Sequence, residues 1–209
     1  ILFALVIISF SLFSFKTGFT DSAEYINVAK SLAGLMNSNV FIIHSVVYSM
    51  YLALFIKIIP SIIVLRLANA TFLILDAILL YRITKNKKTL YLWLFSPIAY
   101  YMSTWISPML PISFLFLLAY HYLKKYETSN NIWHLALSGL SLGLIVTLRE
   151  QMLEIIPIFI IIFFFNKSFK TLIYYLLFAL PTLAIRFIVD YYYFNIPFYT
   201  LLTFTGSVI

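Results

Sequence analysis

The chain has 209 residues, is 63% hydrophobic and 10% charged, and has a mean hydropathy of +1.01. Several apolar runs approach the about 20 residues that cross a bilayer, which excludes an ordinary soluble domain and makes the class a polytopic membrane protein. The net charge of +7 sits in short gaps between apolar runs, the pattern of positive-inside bias, and not on one face as nucleic-acid binding would require.

Apolar runs fall at about 1–15, 42–59, 62–81, 89–106, 109–123, 132–148, 152–165 and 171–189. None alternates like a barrel strand, so all are expected to be helices. Segment 1–15 lacks a charged n-region, and Ser14-Phe15-Lys16 is no small-residue cleavage site, so it reads as the remainder of a first transmembrane helix. Residues 16–41 are polar, with Asp21, Glu24, Asn27, Asn37 and Asn39. Within them 21–35 predicts an amphipathic helix: Asp21 or Ser22 caps it, Glu24 lies in its first turn, and Gly34 is near its end. Tyr25, Val28, Ala29 and Leu32 form its apolar face. Run 42–59 is opened by His44 and Ser45, interrupted by Ser49 and Lys57, and closed by Pro60-Ser61. Run 62–81 contains Asp76, expected to face the bundle interior with Asn69 or a helix partner satisfying it. Gly139 and Gly143, four apart, permit close helix contact in run 132–148. Zero cysteines exclude disulfides, iron–sulfur clusters and thiolate zinc sites. No soluble domain or fixed-period repeat interrupts 1–209, which reads as a single module.

Charge sets the topology. Eight of the fourteen Lys and Arg residues lie in three gaps: Arg82, Lys85, Lys87 and Lys88; Lys124 and Lys125; Lys167 and Lys170. With 16–41 external, crossings at both 42–59 and 62–81 would put every basic gap outside. Demoting 42–59 to an interfacial helix makes all three cytoplasmic at once; the alternative is an ordinary but atypical crossing, since the charge rule is a bias and not a law. The expectation is an all-α polytopic bundle of about seven transmembrane helices plus two external juxtamembrane helices.

On the outer face this topology gathers Asp21 and Glu24, His44, Arg66, the turn 100–108, Arg149 and Glu150, and a tail with Arg186 and Asp190. Ionisable groups at membrane depth usually mark function. Each also has a simpler reading. Asp21 caps a helix, His44 anchors one in the headgroups, and Arg149 with Glu150 forms a turn. Arg186 and Asp190, four apart, make a surface ion pair, and Tyr191 to Phe194 belong to an aromatic belt.

Taken in order, the motifs resemble the integral-membrane glycosyltransferases of the GT-C fold, mannosyltransferase-like enzymes that use polyprenyl-phosphate-linked sugars. Thr20-Asp21-Ser22-Ala23-Glu24-Tyr25 looks like the first external loop with the family's catalytic acid. His44-Ser45-Val46-Val47-Tyr48 is similar to the H-P-P-L-Y start of a juxtamembrane helix, although its double proline is missing. Arg66-Leu67-Ala68-Asn69, Ser96-Pro97 with Ser107-Pro108, and Gly139 through Arg149-Glu150 resemble later family segments. The stretch from Pro181 through Arg186 and Asp190 to Asn195-Ile196-Pro197 resembles the ending, with Asn195 in place of the usual Gly.

The resemblance implies sugar transfer to a glycan, lipid or protein acceptor on the extracytoplasmic face of the cell membrane. Asp21 would be the base, and Glu24 would bind sugar hydroxyls or position the acceptor. Arg149 and Arg186 would hold the lipid phosphate, with His44, Arg66, Glu150 and Asp190 as further substrate-binding candidates. A second acid immediately beside Asp21 is absent, which argues against a metal-dependent variant; no cofactor is expected, and a divalent cation stays open as the alternative. The partners are the lipid-linked donor, the acceptor and the bilayer, with no nucleic acid. A transporter or flippase-like bundle using Asp76, and a noncatalytic membrane subunit, are the alternative classes.

Overall fold

The computed structural model describes residues 20–37, 42–154, 156–158, 160–161 and 168–204. Among them every regular element is helical: α1 Thr20–Leu32, α2 Val46–Ile58, α3 Ile62–Thr84, α4 Lys87–Leu94, α5 Pro97–Ser103, α6 Met109–Ser129, α7 Ile132–Leu148, a 3-10 turn Glu150–Glu154, α8 Phe169–Phe194 and α9 Tyr199–Phe204. By length and composition, α3 and α8 are the two of these able to cross a bilayer, with 23 and 26 residues. The run 1–15, read above as a crossing, lies outside the described residues, as do Lys167 and parts of 152–165. The chain forms two compact units, residues up to 42 with 48–114, and 43–47 with 115 onward.

In the first unit, α1 begins with Asp21 in its first turn, where a carboxylate meets the positive end of the helix dipole. It stops at Gly34, whose φ of +74° is left-handed. There the Leu35 N–H reaches back to the Lys30 carbonyl at 2.9 Å, satisfying an otherwise orphaned acceptor. Tyr25, Val28 and Ala29 of the expected apolar face are buried. Helix α2 has 13 residues, about 20 Å at 1.5 Å per residue. The Ser61 hydroxyl then caps α3.

The run 89–106 is not one helix, contrary to its reading as a single crossing. It breaks between α4 and α5, where Ser96 is extended and Pro97 starts the second piece. Proline offers no N–H to continue the preceding helix and disfavours helical geometry at the residue before it. The two pieces nevertheless run back along α3. The Trp93 indole N–H donates to the Leu73 carbonyl at 3.3 Å, Ala99 packs with Ala70 and Leu73, and the Asn69 amide donates to the Trp105 carbonyl at 2.5 Å. The start of α6 then runs parallel to α3, with Leu110 in the same cluster and the Phe114 ring 5.8 Å from Phe72.

In the second unit α6 continues past Lys124 and Lys125, so these lysines end a helix and do not occupy a gap. Lys124 pairs with Glu127 at 2.8 Å, an i,i+3 contact between good helix formers. Asn130 turns the chain at a φ of +52° and Asn131 caps α7. Helices α6 and α7 are antiparallel, the Ser138 hydroxyl donating to the Ala119 carbonyl at 2.7 Å.

Helix α7 packs parallel to α8, at the closeness that Gly139 and Gly143 permit. A Cβ at Gly139 would stand 2.6 Å from the Tyr175 carbonyl oxygen, and one at Gly143 would overlap Thr182 Oγ1 and the Ala179 carbonyl. The Thr147 hydroxyl also donates to the Thr182 carbonyl at 2.8 Å. Because the pair is parallel, the C-terminal end of α7 and the N-terminal start of α8 lie at opposite ends of it. Asn195 ends α8 in a left-handed conformation, φ +55°, which asparagine tolerates better than most side chains.

Candidate functional site

Each unit has a polar end. In the first, α1 is mounted through Tyr25, whose ring meets that of Tyr48 edge-on at 5.0 Å. The fully buried Tyr48 hydroxyl donates to Asn69 Oδ1 at 3.0 Å. Burial in apolar surroundings pushes the Tyr48 phenol well above its ordinary value, so it stays a neutral donor. Asn69 is thus engaged by Tyr48 on one side and the Trp105 carbonyl on the other. Tyr51 adds a bond from its hydroxyl to the Ala68 carbonyl at 3.0 Å. This lattice holds α1 and α2 at the head of α3, where Arg66 is buried. Asp21 precedes Tyr25 by one helical turn, and both Asp21 and Glu24 are half-buried.

The polar end of the second unit centres on Arg186. Its guanidinium donates to the Val146 carbonyl at 3.0 Å, to Glu150 Oε2 at 3.1 Å and to the Thr200 hydroxyl. Its Nε lies 3.7 Å from Asp190 Oδ2. That same carboxylate oxygen accepts from the Thr200 hydroxyl at 2.8 Å and from the Thr200 N–H at 3.2 Å. Arg186, Glu150, Asp190 and Thr200 are all 2% exposed or less. The Arg186–Asp190 pair is therefore the heart of a buried network and no surface ion pair. Helix packing covers it, since α7 lies so close to α8. Glu150 Oε1 and Asp190 Oδ1 have no hydrogen-bond partner. One guanidinium thus serves two buried carboxylates, an arrangement stable only while every member stays in place.

Arg149 stands beside this cluster as the extended C-cap of α7, its Nε donating to Gln151 Oε1 at 2.7 Å. His44 is half-buried in the segment before α2. There the neighbouring Ser45 hydroxyl donates to the Thr147 carbonyl at 2.6 Å, fastening the segment to the end of α7. The structure brings Glu150, Arg186 and Asp190 into direct contact and sets Arg149 and His44 at the same end of their unit. It places Asp21, Glu24 and Arg66 in the other unit.

The three basic clusters stand apart from the polar ends, although exposed Lys57 in the last turn of α2 and Glu127, paired with Lys124, do not follow that sorting. Arg82, Lys85, Lys87 and Lys88 are exposed where α3 meets α4, while Asn69 and Arg66 lie back along α3, about 20 Å away by helical rise. Lys124, Lys125 and Lys170 are exposed at one end of the second unit. Arg186 lies sixteen residues beyond Lys170 on the same helix, about 24 Å along its axis.

Asp76 faces the interior, as expected. It is fully buried, but Asn69 does not satisfy it. Ser113 is the polar side chain beside it, and neither carboxylate oxygen has a partner in hydrogen-bond geometry. Thr200 escapes sequence reasoning altogether. A lone threonine beyond the last apolar run carries no pattern, and only the reversal at Asn195 and Phe198, both left-handed, brings it back onto Arg186. Among the described residues no three His, Asp or Glu side chains group as metal ligands would.

No protein family, curated protein or solved structure matches the chain.

Proposed function

We propose that this chain is a membrane glycosyltransferase of the GT-C type, with about seven crossings by length and parity, that moves a sugar from a polyprenyl-phosphate donor to an acceptor on the extracytoplasmic face. One observation carries the reading: the exposed Arg82, Lys85, Lys87 and Lys88 in one unit, and Lys124, Lys125 and Lys170 in the other, lie far along their helices from the buried Arg66 and from the buried Arg186, Glu150 and Asp190. Two further features support it. Helix α2, about 20 Å long, falls short of the about 30 Å hydrocarbon core and suits a juxtamembrane position. The parallel packing of α7 and α8 calls for a return across the bilayer through 152–165.

Asp21 is the base that takes the acceptor proton, on a helix held rigid by Tyr25, Tyr48 and Asn69, and Glu24 binds sugar hydroxyls. Arg149 holds the departing phosphate, a planar donor fork suited to its oxygens. Arg186 is a positioning residue, because both of its terminal guanidinium nitrogens are already engaged by Val146, Glu150 and Thr200. It locks the turn from which Arg149 projects. The test is Asp21→Asn with transfer measured from a polyprenyl-phospho-sugar. Loss of a general base lowers turnover by about 10²–10⁴ while donor binding persists, and turnover near wild type eliminates the assignment.

A second reading, a transporter or flippase-like path, is favoured by the buried and unpartnered Asp76. Asp76→Leu separates the two, because sugar transfer survives it and transport through that carboxylate does not.

A further inference from the structure

The connection between α3 and α4 carries four exposed cations, Arg82, Lys85, Lys87 and Lys88, that neither polar end uses. No ion pair among the described residues takes up any of them. The turn itself is firmly built. Asn86 Oδ1 accepts the Lys88 N–H at 2.9 Å and the Thr84 hydroxyl accepts the Asn86 N–H at 3.3 Å.

What lies next to the cations gives them meaning. On α3, Leu75, Ile78 and Arg82 follow at intervals of three and four, so they share one face, and all three are exposed. On α4, Lys88, Leu92 and Phe95 are spaced four and three, again one face, with Leu92 75% and Phe95 76% exposed. The opposite sides of the same helices hold the packing, where Trp93 meets Leu73. Each helix of this antiparallel pair thus exposes a stripe that is cationic at the turn and apolar away from it. A soluble partner would leave the apolar lengths wet. A neutral lipid would leave the cations unmatched.

We infer that the α3–α4 turn is a docking surface for an anionic phospholipid of the surrounding bilayer. The phosphate rests among Arg82, Lys85, Lys87 and Lys88, and the acyl chains lie along the apolar stripes. Arginine supplies a fork for phosphate oxygens, and the lysines extend their stems over apolar surface while the ammonium groups stay at headgroup level. Each basic side chain near an anionic membrane surface enriches such lipids by about fivefold. This assignment does not draw on the glycosyl-transfer reading.

The experiment places the full chain in nanodiscs of mixed phosphatidylglycerol and phosphatidylcholine with identical acyl chains, re-extracts it in mild detergent and weighs the lipids it retains. Wild type should retain phosphatidylglycerol at least about tenfold over phosphatidylcholine, falling as salt rises. The variant R82Q/K85Q/K87Q/K88Q should lose the preference with unchanged helix content. Leu92→Asn with Phe95→Asn should weaken retention while leaving the charge in place. Equal retention of the two lipids by wild type overturns the proposal without reference to any variant. So does a preference indifferent to salt, or displacement of the lipid by glycerol phosphate as readily as by whole phosphatidylglycerol, which would mark a site for free phosphate.

Discussion

Replacing Arg186 by methionine probes the buried network most directly. The change keeps much of the side-chain length but deletes the donors to the Val146 carbonyl, Glu150 and Thr200, and the charge facing Asp190. Two carboxylates at 0–1% exposure are then left without their cation. Removing one partner of a buried ion pair costs about 3–5 kcal/mol, and the loss of three hydrogen bonds places this case at the upper end. For a chain of this length 1 kcal/mol shifts the melting temperature by about 2–4 °C, so a fall of about 8–20 °C is expected. Melting in detergent micelles, followed by intrinsic fluorescence, measures it. The triple change Arg186→Met, Glu150→Gln, Asp190→Asn removes all the charges together and should recover most of the loss, to within about 1–2 kcal/mol of wild type. A single variant that melts with the wild type, or a triple variant less stable than the single, refutes the claim that the carboxylates depend on this guanidinium.

Gly143→Ala forces a Cβ into Thr182 Oγ1 and the Ala179 carbonyl, so α7 and α8 must part; overpacking of this kind costs about 1–3 kcal/mol, read as a lowered melting temperature. Tyr48→Phe orphans Asn69 Oδ1 in a buried site, costing about 1–3 kcal/mol. It should also depress sugar transfer, although Tyr48 is not itself proposed to touch substrate, and a variant of full stability and activity would separate α1 from its supposed mount. Asp76→Leu replaces a buried carboxylate lacking hydrogen-bond partners with apolar volume, so the melting temperature should rise; a fall would show that the carboxylate has a structural partner.

The helical class, the amphipathic face of α1 and the glycine pair of α7 were legible in the primary structure, because each depends on periodicity within a few turns of one helix. So was the distance of the basic clusters from Arg66 and Arg186, since the short turns at 85–86 and 130–131 leave the chain little choice of direction. The break at Ser96-Pro97 obeys a local backbone rule, but the continuous apolar signal of 89–106 hides it, and the run reads as one crossing. What one-dimensional reasoning misses is the choice of partner for each polar group. Asn69 sits on the same helix as Asp76 yet turns to Tyr48 and Trp105. Arg186 and Asp190, which spacing alone allows to be a solvated pair, acquire Glu150 and Thr200. Those choices follow from how closely α7 can approach α8 and from the reversal of chain after Asn195. Both are set by packing between segments far apart in the chain, and only the folded molecule decides them.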